Sequence, residues 1–188
     1  MVRKFERGPL DPGVVDRILD HARKAPSAGF SQGFEFLVLE DQEERDRLWR
    51  VFDELEDGRW ADPEIEPAAL LIVPFANKDA YLDRYAEADK GWEDRDEARW
   101  PVPYWYIDTG FSALLMLLTA VDEGLGALFF GVPPHAIAPL REAFGVPQTY
   151  VPIGVVAVGH RGPDAGSAGS AATRPRRAIE QVVHRGRW

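Results

Sequence analysis

The 188-residue chain carries 22 basic and 31 acidic side chains, a net charge of −9, and 45% of its residues are hydrophobic. This length and composition predict a single globular domain over residues 1–188 that buries a sizeable core, and they exclude a disordered chain. The absence of cysteine excludes disulfides, thiolate metal sites and a cysteine nucleophile, and the acidic charge argues against general nucleic-acid binding.

No targeting or membrane segment is predicted. The residues after Met1 include no apolar signal core, and the longest apolar stretch is the 13 residues between Asp108 and Asp122. A bilayer span needs about 20 residues. We therefore expect a cytoplasmic protein with no membrane partner, an expectation that the lack of cysteine also favours.

The first half of the chain predicts helices, a loop and two strands. Asp11 and Pro12 are typical of a helix start, and apolar residues then recur with helical spacing until Ala25, where the following proline ends the helix. The loop 26–33 precedes a strand over 34–39. Residues 41–44 resemble a capping box that opens a helix through Leu55.

The remaining segments complete a layered α+β domain. Residues 68–75 form an apolar run typical of a strand buried on both faces, and 78–100 suggest mixed helix and loop. Tyr106 to Glu123 is the strongest predicted helix, apolar nearly all round and therefore expected to be central. Then follow a strand over 127–130, an amphipathic helix over 134–144, a strand over 150–158 closed by Gly159, a flexible linker over 161–173 and a basic C-terminal segment.

Several segments could bind a ligand, each with a simpler explanation. The loop 26–32 offers hydroxyls, an amide and backbone N–H groups, or is only a connector. The glycines of 124–131 do not match a dinucleotide motif; they allow a close approach to a flat ligand, or only cap a helix. Arg174, Arg176 and Arg177 could hold a phosphate, or form a solubilising tail.

Aromatic side chains are concentrated beside acidic residues in the segment 92–106. They predict either the wall or lid of a substrate pocket or the packing of a core, and the residues concerned are Trp92, Trp100, Tyr104, Trp105 and Tyr106. The four histidines are far apart in sequence and lack ligand spacing, so no metal site is predicted. No nucleophile elbow or phosphate loop is present.

The order of these segments resembles the FMN-dependent nitroreductase family over about residues 3–184. The motifs that carry the resemblance are Arg3-x-Phe5, Ala25-Pro-Ser-Ala-Gly-x-x-Gln32, Gly124-Leu-Gly-Ala-x-x-x-Gly131, Pro152–Gly159 and Arg174-x-Arg176-Arg177. The resemblance implies an α+β fold with a mostly antiparallel sheet of about four to five strands flanked by helices. It also implies a homodimer that buries the long central helix at its interface, with two FMN molecules in interfacial clefts.

The resemblance further implies which residues contact the flavin. Arg3 is expected near its pyrimidine edge, the backbone of Phe130 and Gly131 near N5, and Arg174 and Arg176 at the phosphate. The loop of the other subunit is expected to contribute Pro26, Ser27, Ala28 and Gln32.

The implied activity is electron transfer from NAD(P)H to a nitroaromatic or quinone-like small molecule by a ping-pong scheme. The flavin carries the hydride, so no catalytic side chain is required. Two alternatives are a flavin-dependent dehydrogenase of a biosynthetic pathway and a flavin-binding storage protein without turnover. The segment 92–106 discriminates among them, because it either leaves room over the flavin or covers it.

One departure from the family concerns the start of the chain. Family members usually carry a further Arg-rich element before the Arg-x-Phe start, whereas here only two residues precede Arg3. If the element is absent, we expect FMN affinity below that usual for the family.

Overall fold

An antiparallel sheet forms the centre of the protein. The computed structural model describes residues 1–53, 62–163 and 170–188. In these residues the strands are β1 (Phe5–Glu6), β2 (Phe34–Leu39), β3 (Leu70–Asn77), β4 (Gly126–Phe130), β5 (Tyr150–Pro152) and β6 (Val155–Arg161). Every strand pair is antiparallel, as the resemblance implies for most of the sheet.

Helices flank this sheet. Their bounds are α1 (Pro12–Ala22), α2 (Gln42–Asp53), α3 (Lys78–Ala86), α4 (Tyr104–Asp122), α5 (Ile137–Phe144) and a short α6 (Ser170–Thr173). The Asp11 side chain accepts a hydrogen bond from the Gly13 amide and so caps α1, as the sequence predicts. The predicted end of α2 at Leu55 and residues 164–169 of the predicted linker lie outside the described residues. The linker prediction over 161–173 is wrong at both ends, because Arg161 still pairs with β1 and residues 170–173 form α6.

Strand pairing divides the sheet into two ends. At one end, β2 begins at Phe34 opposite Ala76, and β4 ends at Phe130 opposite Val155. At the other end, β3 begins at Leu70 opposite Val158, and β6 continues into its pairing with β1. The loop 26–33 and the segment after β4 therefore both lie at the first end.

The core occupies both faces of the sheet. On one face, strand residues pack with α2 and α5, including Leu48, Phe52 and Leu140. On the other face, they pack with α1 and α4, including Ile18 and Met116. The strand β3 contributes to both clusters, which explains its continuous apolar sequence.

The helix α4 has one buried face and one exposed apolar face. Its buried face carries four polar side chains, Asp108, Thr109, Ser112 and Thr119. The exposed face is a stripe at helical spacing, here called the α4 stripe: Ile107, Phe111, Leu114, Leu118 and Val121. Among the described helices, only α4 is long and apolar enough to cross a membrane, with a mean hydropathy of 1.3. Core helices of soluble proteins meet the same criteria of length and hydropathy.

Several boundaries differ from the sequence predictions: α1 ends at Ala22 rather than Ala25, β3 covers Leu70–Asn77 rather than 68–75, and α5 begins at Ile137 rather than 134. The predicted strand over 150–158 is two strands, because its pairing with β3 shifts by one residue between Pro152, opposite Phe75, and Val156, opposite Ile72. Gly154 lies in this break against Phe129 and the Phe130 carbonyl, where a Cβ would not fit. β6 then passes through Gly159 to Arg161, since β1 pairs with its end. Helix α4 begins at Tyr104, which makes it 19 residues long.

Candidate functional site

The loop Pro26–Gln32 is held in place by hydrogen bonds to two helices. Asp108 Oδ2 on α4 accepts from the Ala28 amide at 2.8 Å, and Arg84 Nε on α3 donates to the Gly29 carbonyl at 2.9 Å. Within the loop, Ser27 Oγ accepts from the Gln32 amide at 3.0 Å. The Ser27 hydroxyl hydrogen stays available to a ligand, and Pro26 and the Gln32 side chain are exposed.

Three residues of this loop have left-handed backbone conformations. Gly29 has φ +62°, Phe30 has φ +57° and Gln32 has φ +50°. A left-handed conformation is easy for glycine but uncommon for a bulky residue such as phenylalanine. Such conformations persist only where the surroundings determine them, and the bonds from Asp108 and Arg84 supply that constraint.

Asp108 is a buried carboxylate that joins the loop to the aromatic segment. Its Oδ2 also accepts a hydrogen bond from the Tyr81 hydroxyl at 2.9 Å, and its residue is 3% exposed. Burial, followed by this hydrogen bond, raises the pKa of the Tyr81 phenol well above its usual range. The two neutral donors stabilise a carboxylate that would otherwise be costly to bury.

The end of β4 presents backbone rather than side chain. The Phe130 ring packs inward, stacked on Trp49 with centroids 5.9 Å apart and edge-on to Phe52. Gly131 is exposed, and a Cβ built on it would meet no atom within 4 Å. The backbone at Gly131 is therefore open to a ligand; the resemblance implies that the flavin ring lies here, which stays a prediction.

Arg3 lies on a segment that runs beside β4. Its neighbour Val2 is buried and donates its amide to the Ala127 carbonyl at 2.9 Å. Arg3 itself is exposed and forms no ion pair within the part of the chain that the structure describes. The strand β4 thus links Arg3, near its start, to Gly131, just after its end.

Arg174 and Arg176 lie in the exposed C-terminal segment after α6. Neither forms an ion pair with a carboxylate in residues 1–53, 62–163 or 170–188, although the protein is acidic. By contrast, Arg17 pairs with Glu123 at 2.6 Å and Arg99 with Asp94 at 2.6 Å. The two arginines are therefore available to an anion from outside the chain.

The aromatic segment forms one packed cluster around Trp100. This ring has neighbours with centroids 4.5–6.0 Å away, and they are Tyr81, Tyr85, Trp92, Tyr104 and Trp105. Trp105 is buried, Trp92 and Trp100 are half-buried, and Tyr104 is exposed. The cluster touches the loop, because a Cβ at Gly29 would lie 2.6 Å from the Tyr85 ring.

Two cavities of similar volume lie in different parts of the fold, one beside the aromatic cluster and one far from the loop. One of about 470 Å³ is bordered by Trp105, Tyr106 and the Lys78–Glu97 ion pair of 2.6 Å. Another of about 480 Å³ lies at the opposite end of the sheet beside Arg7 and Arg45. Burial lowers the pKa of Arg45, and its guanidinium is already bonded to the carbonyls of Glu40 and Ala69.

The structure places the predicted residues at separate positions. The loop contacts α3 and α4 and, through Tyr85, the aromatic cluster. Gly131 lies at the same end of the sheet as the loop, whereas Arg3 is joined to the opposite end of β4 through the Val2–Ala127 bond. Within the described ranges, no hydrogen bond or ion pair joins Arg174 or Arg176 to any of these residues.

Sequence reasoning missed three residues of this region. Asp108 could have been found, because it is an acidic residue inside the most apolar helix, and such residues are rarely buried without a role. Arg84 and Phe30 gave no such signal, since their positions depend on how the loop packs. Among the residues described, no group of three or more His, Asp or Glu side chains could hold a metal ion.

Comparisons with known proteins agree with the resemblance. The model of the Nitroreductase family matches residues 1–160. An NADPH-dependent oxidoreductase of Staphylococcus aureus (strain MRSA252) is 24% identical over all of this chain and 70% of its own length.

Solved structures share the fold. An FMN-dependent nitroreductase from Clostridium difficile R20291 has a TM-score of 0.69 at 21% identity, covering 100% of this chain and 94% of its own. A candidate nitroreductase from Exiguobacterium sibiricum, solved in complex with FMN, has a TM-score of 0.69 at 21% identity, covering 97% and 91%.

Proposed function

Because this chain belongs to the nitroreductase family and is an oxidoreductase, we propose that it is a homodimeric FMN enzyme that uses NAD(P)H to reduce a nitroaromatic or quinone-like acceptor. The observation that carries the proposal is the pairing of Val2 with Ala127. This hydrogen bond fixes the segment of Arg3, which has no ion pair among the described residues, to the start of the strand that leads to the open backbone at Gly131.

The residues present fit a flavin mononucleotide. A phosphate needs unpaired guanidinium groups, and Arg174 and Arg176 are exposed without ion pairs among the described residues. A flat ring needs backbone without an intervening side chain, which Gly131 offers. When bound, FMN would accept a hydride from the nicotinamide and return the electrons to the acceptor in a second half-reaction.

The side chains of this protein would bind and tune that cofactor. Arg174 and Arg176 would hold the phosphate through paired N–H donors. Arg3 would place a fixed positive charge where negative charge grows on reduction, which stabilises the reduced form. Ser27 and Gln32 would donate hydrogen bonds from the loop, with Pro26 and Ala28 in contact beside them.

The homodimer is supported by apolar surface that one chain leaves exposed. The α4 stripe extends over most of a 19-residue helix, and the C-terminal segment adds exposed Ile179, Val182, Val183 and Trp188. A patch of this kind usually marks an interface, and obligate dimers bury upwards of about 2,000 Å². A second copy of the chain would cover the stripe and bring its own loop to the flavin.

The aromatic cluster would provide the predicted pocket wall in this arrangement. Trp92 and Trp100 pack behind the loop through Tyr85, and Tyr104 and Trp105 continue the cluster onto α4. We propose that this cluster supports one side of the acceptor pocket rather than covering the flavin. Turnover distinguishes this enzyme from a flavin storage protein, since only the enzyme reduces an added acceptor.

The test is reconstitution followed by stopped-flow reduction. The purified protein is incubated with excess FMN, its mass is measured by light scattering, and the flavin absorbance is followed after mixing with NADH or NADPH. We expect a yellow dimer that is reduced by at least one donor and reoxidised by menadione or nitrofurazone. A colourless monomer, or a flavin that neither donor reduces, would contradict the proposal.

A further inference from the structure

Phe30 combines exposure with a rigid and unfavourable backbone. Its side chain is 73% exposed, although it is a large apolar group, and its φ of +57° lies in the left-handed region. Exposed apolar side chains are common, but few are also held in a conformation that a bulky residue disfavours. The ring gives the isolated chain little buried apolar surface, so its role is to be sought outside the chain.

The loop around Phe30 is locked rather than free to collapse. The Phe30 amide donates to the Ser27 carbonyl at 2.9 Å, and the Ser31 hydroxyl donates to the Ala28 carbonyl at 2.6 Å. Asp108 and Arg84 fix the residues on its N-terminal side. The ring is therefore presented to its surroundings from a fixed base, which lowers the entropy lost on binding.

The position of the loop in the fold indicates which surfaces of the protein lie near Phe30. Asp108, which accepts from Ala28, lies directly after Ile107 and three residues before Phe111, and both belong to the exposed α4 stripe. The loop is therefore tied to the turn of α4 from which the α4 stripe begins, the surface that a second copy of the chain would cover. On its other side, the loop rests on the ring of Tyr85.

We propose that Phe30 reaches across the dimer and packs against a planar aromatic acceptor in the flavin site of the other subunit. The proposal rests on the proposed function and adds a residue that determines its specificity. Aromatic rings attract one another in stacked or edge-on geometries, so this residue would favour planar aromatic acceptors over small inorganic ones. The acceptor pocket of each flavin would then be completed in trans.

The first experiment uses the reconstituted dimer and the redox-inert probe 2-naphthoate, whose binding is followed through the flavin absorbance. Asparagine tolerates a left-handed backbone, so Phe30→Asn removes the ring without adding strain. We expect the Kd for 2-naphthoate to rise about tenfold, with the Kd for FMN and the dimer mass unchanged. Phe30→Tyr, which keeps the ring, should restore the wild-type Kd.

A second readout compares two acceptors. In Phe30→Asn, the ratio of kcat/KM for menadione to kcat/KM for ferricyanide should fall about tenfold, mainly through the KM for menadione. A Kd for 2-naphthoate within twofold of wild type would overturn the proposal. So would loss of FMN or of the dimer in Phe30→Asn, because the residue would then have a cofactor or structural role.

Mixed dimers test whether the Phe30 ring of one subunit acts in the flavin site of the other. The FMN concentration is chosen so that subunits with Arg176→Ala bind no FMN. A dimer of one Phe30→Asn subunit and one Arg176→Ala subunit should keep one tight 2-naphthoate site. A dimer of one wild-type subunit and one subunit with both changes should keep none, and the reverse pattern would overturn the proposal. If wild-type protein binds no FMN or reduces no acceptor, the proposed function fails instead.

Discussion

The hydroxyl of Tyr81 donates a 2.9 Å hydrogen bond to the buried carboxylate of Asp108, whose same oxygen accepts from the Ala28 amide. This pair connects α3, α4 and the loop that carries the predicted flavin contacts. It lies in the interior, where a carboxylate that loses a hydrogen-bond donor lowers the stability of the folded protein.

Removal of the Tyr81 hydroxyl should therefore destabilise the protein. In Tyr81→Phe, we expect the free energy of unfolding to fall by about 1.5–3 kcal/mol, the range for a hydrogen bond to a charged group. Urea denaturation followed by circular dichroism measures the change. Tyr104→Phe is the matched control, because Tyr104 belongs to the same cluster but is exposed. Equal losses in the two variants would contradict a role for the bond.

Stability at alkaline pH should depend on the same phenol. Burial, and then the bond to Asp108, raise the pKa of Tyr81 in the folded protein. Above the ordinary tyrosine pKa of about 10, the unfolded chain therefore binds fewer protons than the folded one, and stability falls as the pH rises. One proton corresponds to about 1.4 kcal/mol per pH unit.

Tyr81→Phe should accordingly flatten the loss of stability above about pH 10, as measured by urea denaturation between pH 9 and 11. Tyr150→Phe should act in the same direction, because its bond to Glu35 and its partial burial also raise the pKa of the Tyr150 phenol. An unchanged alkaline slope in Tyr81→Phe would argue against the shift.

Arg176 should contribute to FMN affinity through the phosphate. In Arg176→Ala, we expect the loss of about 1.5–3 kcal/mol, or roughly 10–150-fold in the Kd measured by flavin fluorescence. Riboflavin lacks the phosphate, so its Kd should change little. Arg187→Ala is the control in the same exposed segment. If FMN affinity stays at the wild-type value, the segment is only a solubilising tail.

Arg3 should set the redox potential of the bound flavin. Arg3→Gln keeps a hydrogen-bond donor but removes the charge, so the reduced form loses more stabilisation than the oxidised form. We expect the midpoint potential to fall by tens of millivolts, where about 30 mV corresponds to about 1.4 kcal/mol for two electrons. Spectroelectrochemical titration measures it. A potential unchanged within error would mean that Arg3 is a solvated terminal side chain.

Two glycines near the end of β4 should respond differently to a methyl group. Gly131→Ala meets open space, so the apoprotein should keep its melting temperature while FMN affinity falls. Gly154→Ala would place Cβ 2.4 Å from the Phe129 ring and 2.7 Å from the Phe130 carbonyl, so the apoprotein itself should be destabilised. Thermal unfolding with and without FMN separates the two effects. Normal FMN binding by Gly131→Ala would show that the flavin does not lie against this backbone.

The sequence by itself determined the fold class and the main elements, because these depend on local patterns. The cap at Asp11, the continuous apolar run of β3 and the apolar length of α4 each belong to one segment, and the structure confirms them. The order of the motifs was also enough to identify the family.

Only the tertiary structure decided how the loop is presented. The bonds from Asp108 to Ala28 and from Arg84 to Gly29 join residues 80 and 55 positions apart, and no local pattern encodes such contacts. The same holds for the break at Gly154, which lies where the pairing with β3 shifts by one residue and where the ring of Phe129 leaves no room for a Cβ. The left-handed backbone of Phe30 has the same origin, since it persists only because long-range packing outweighs the local preference of the residue.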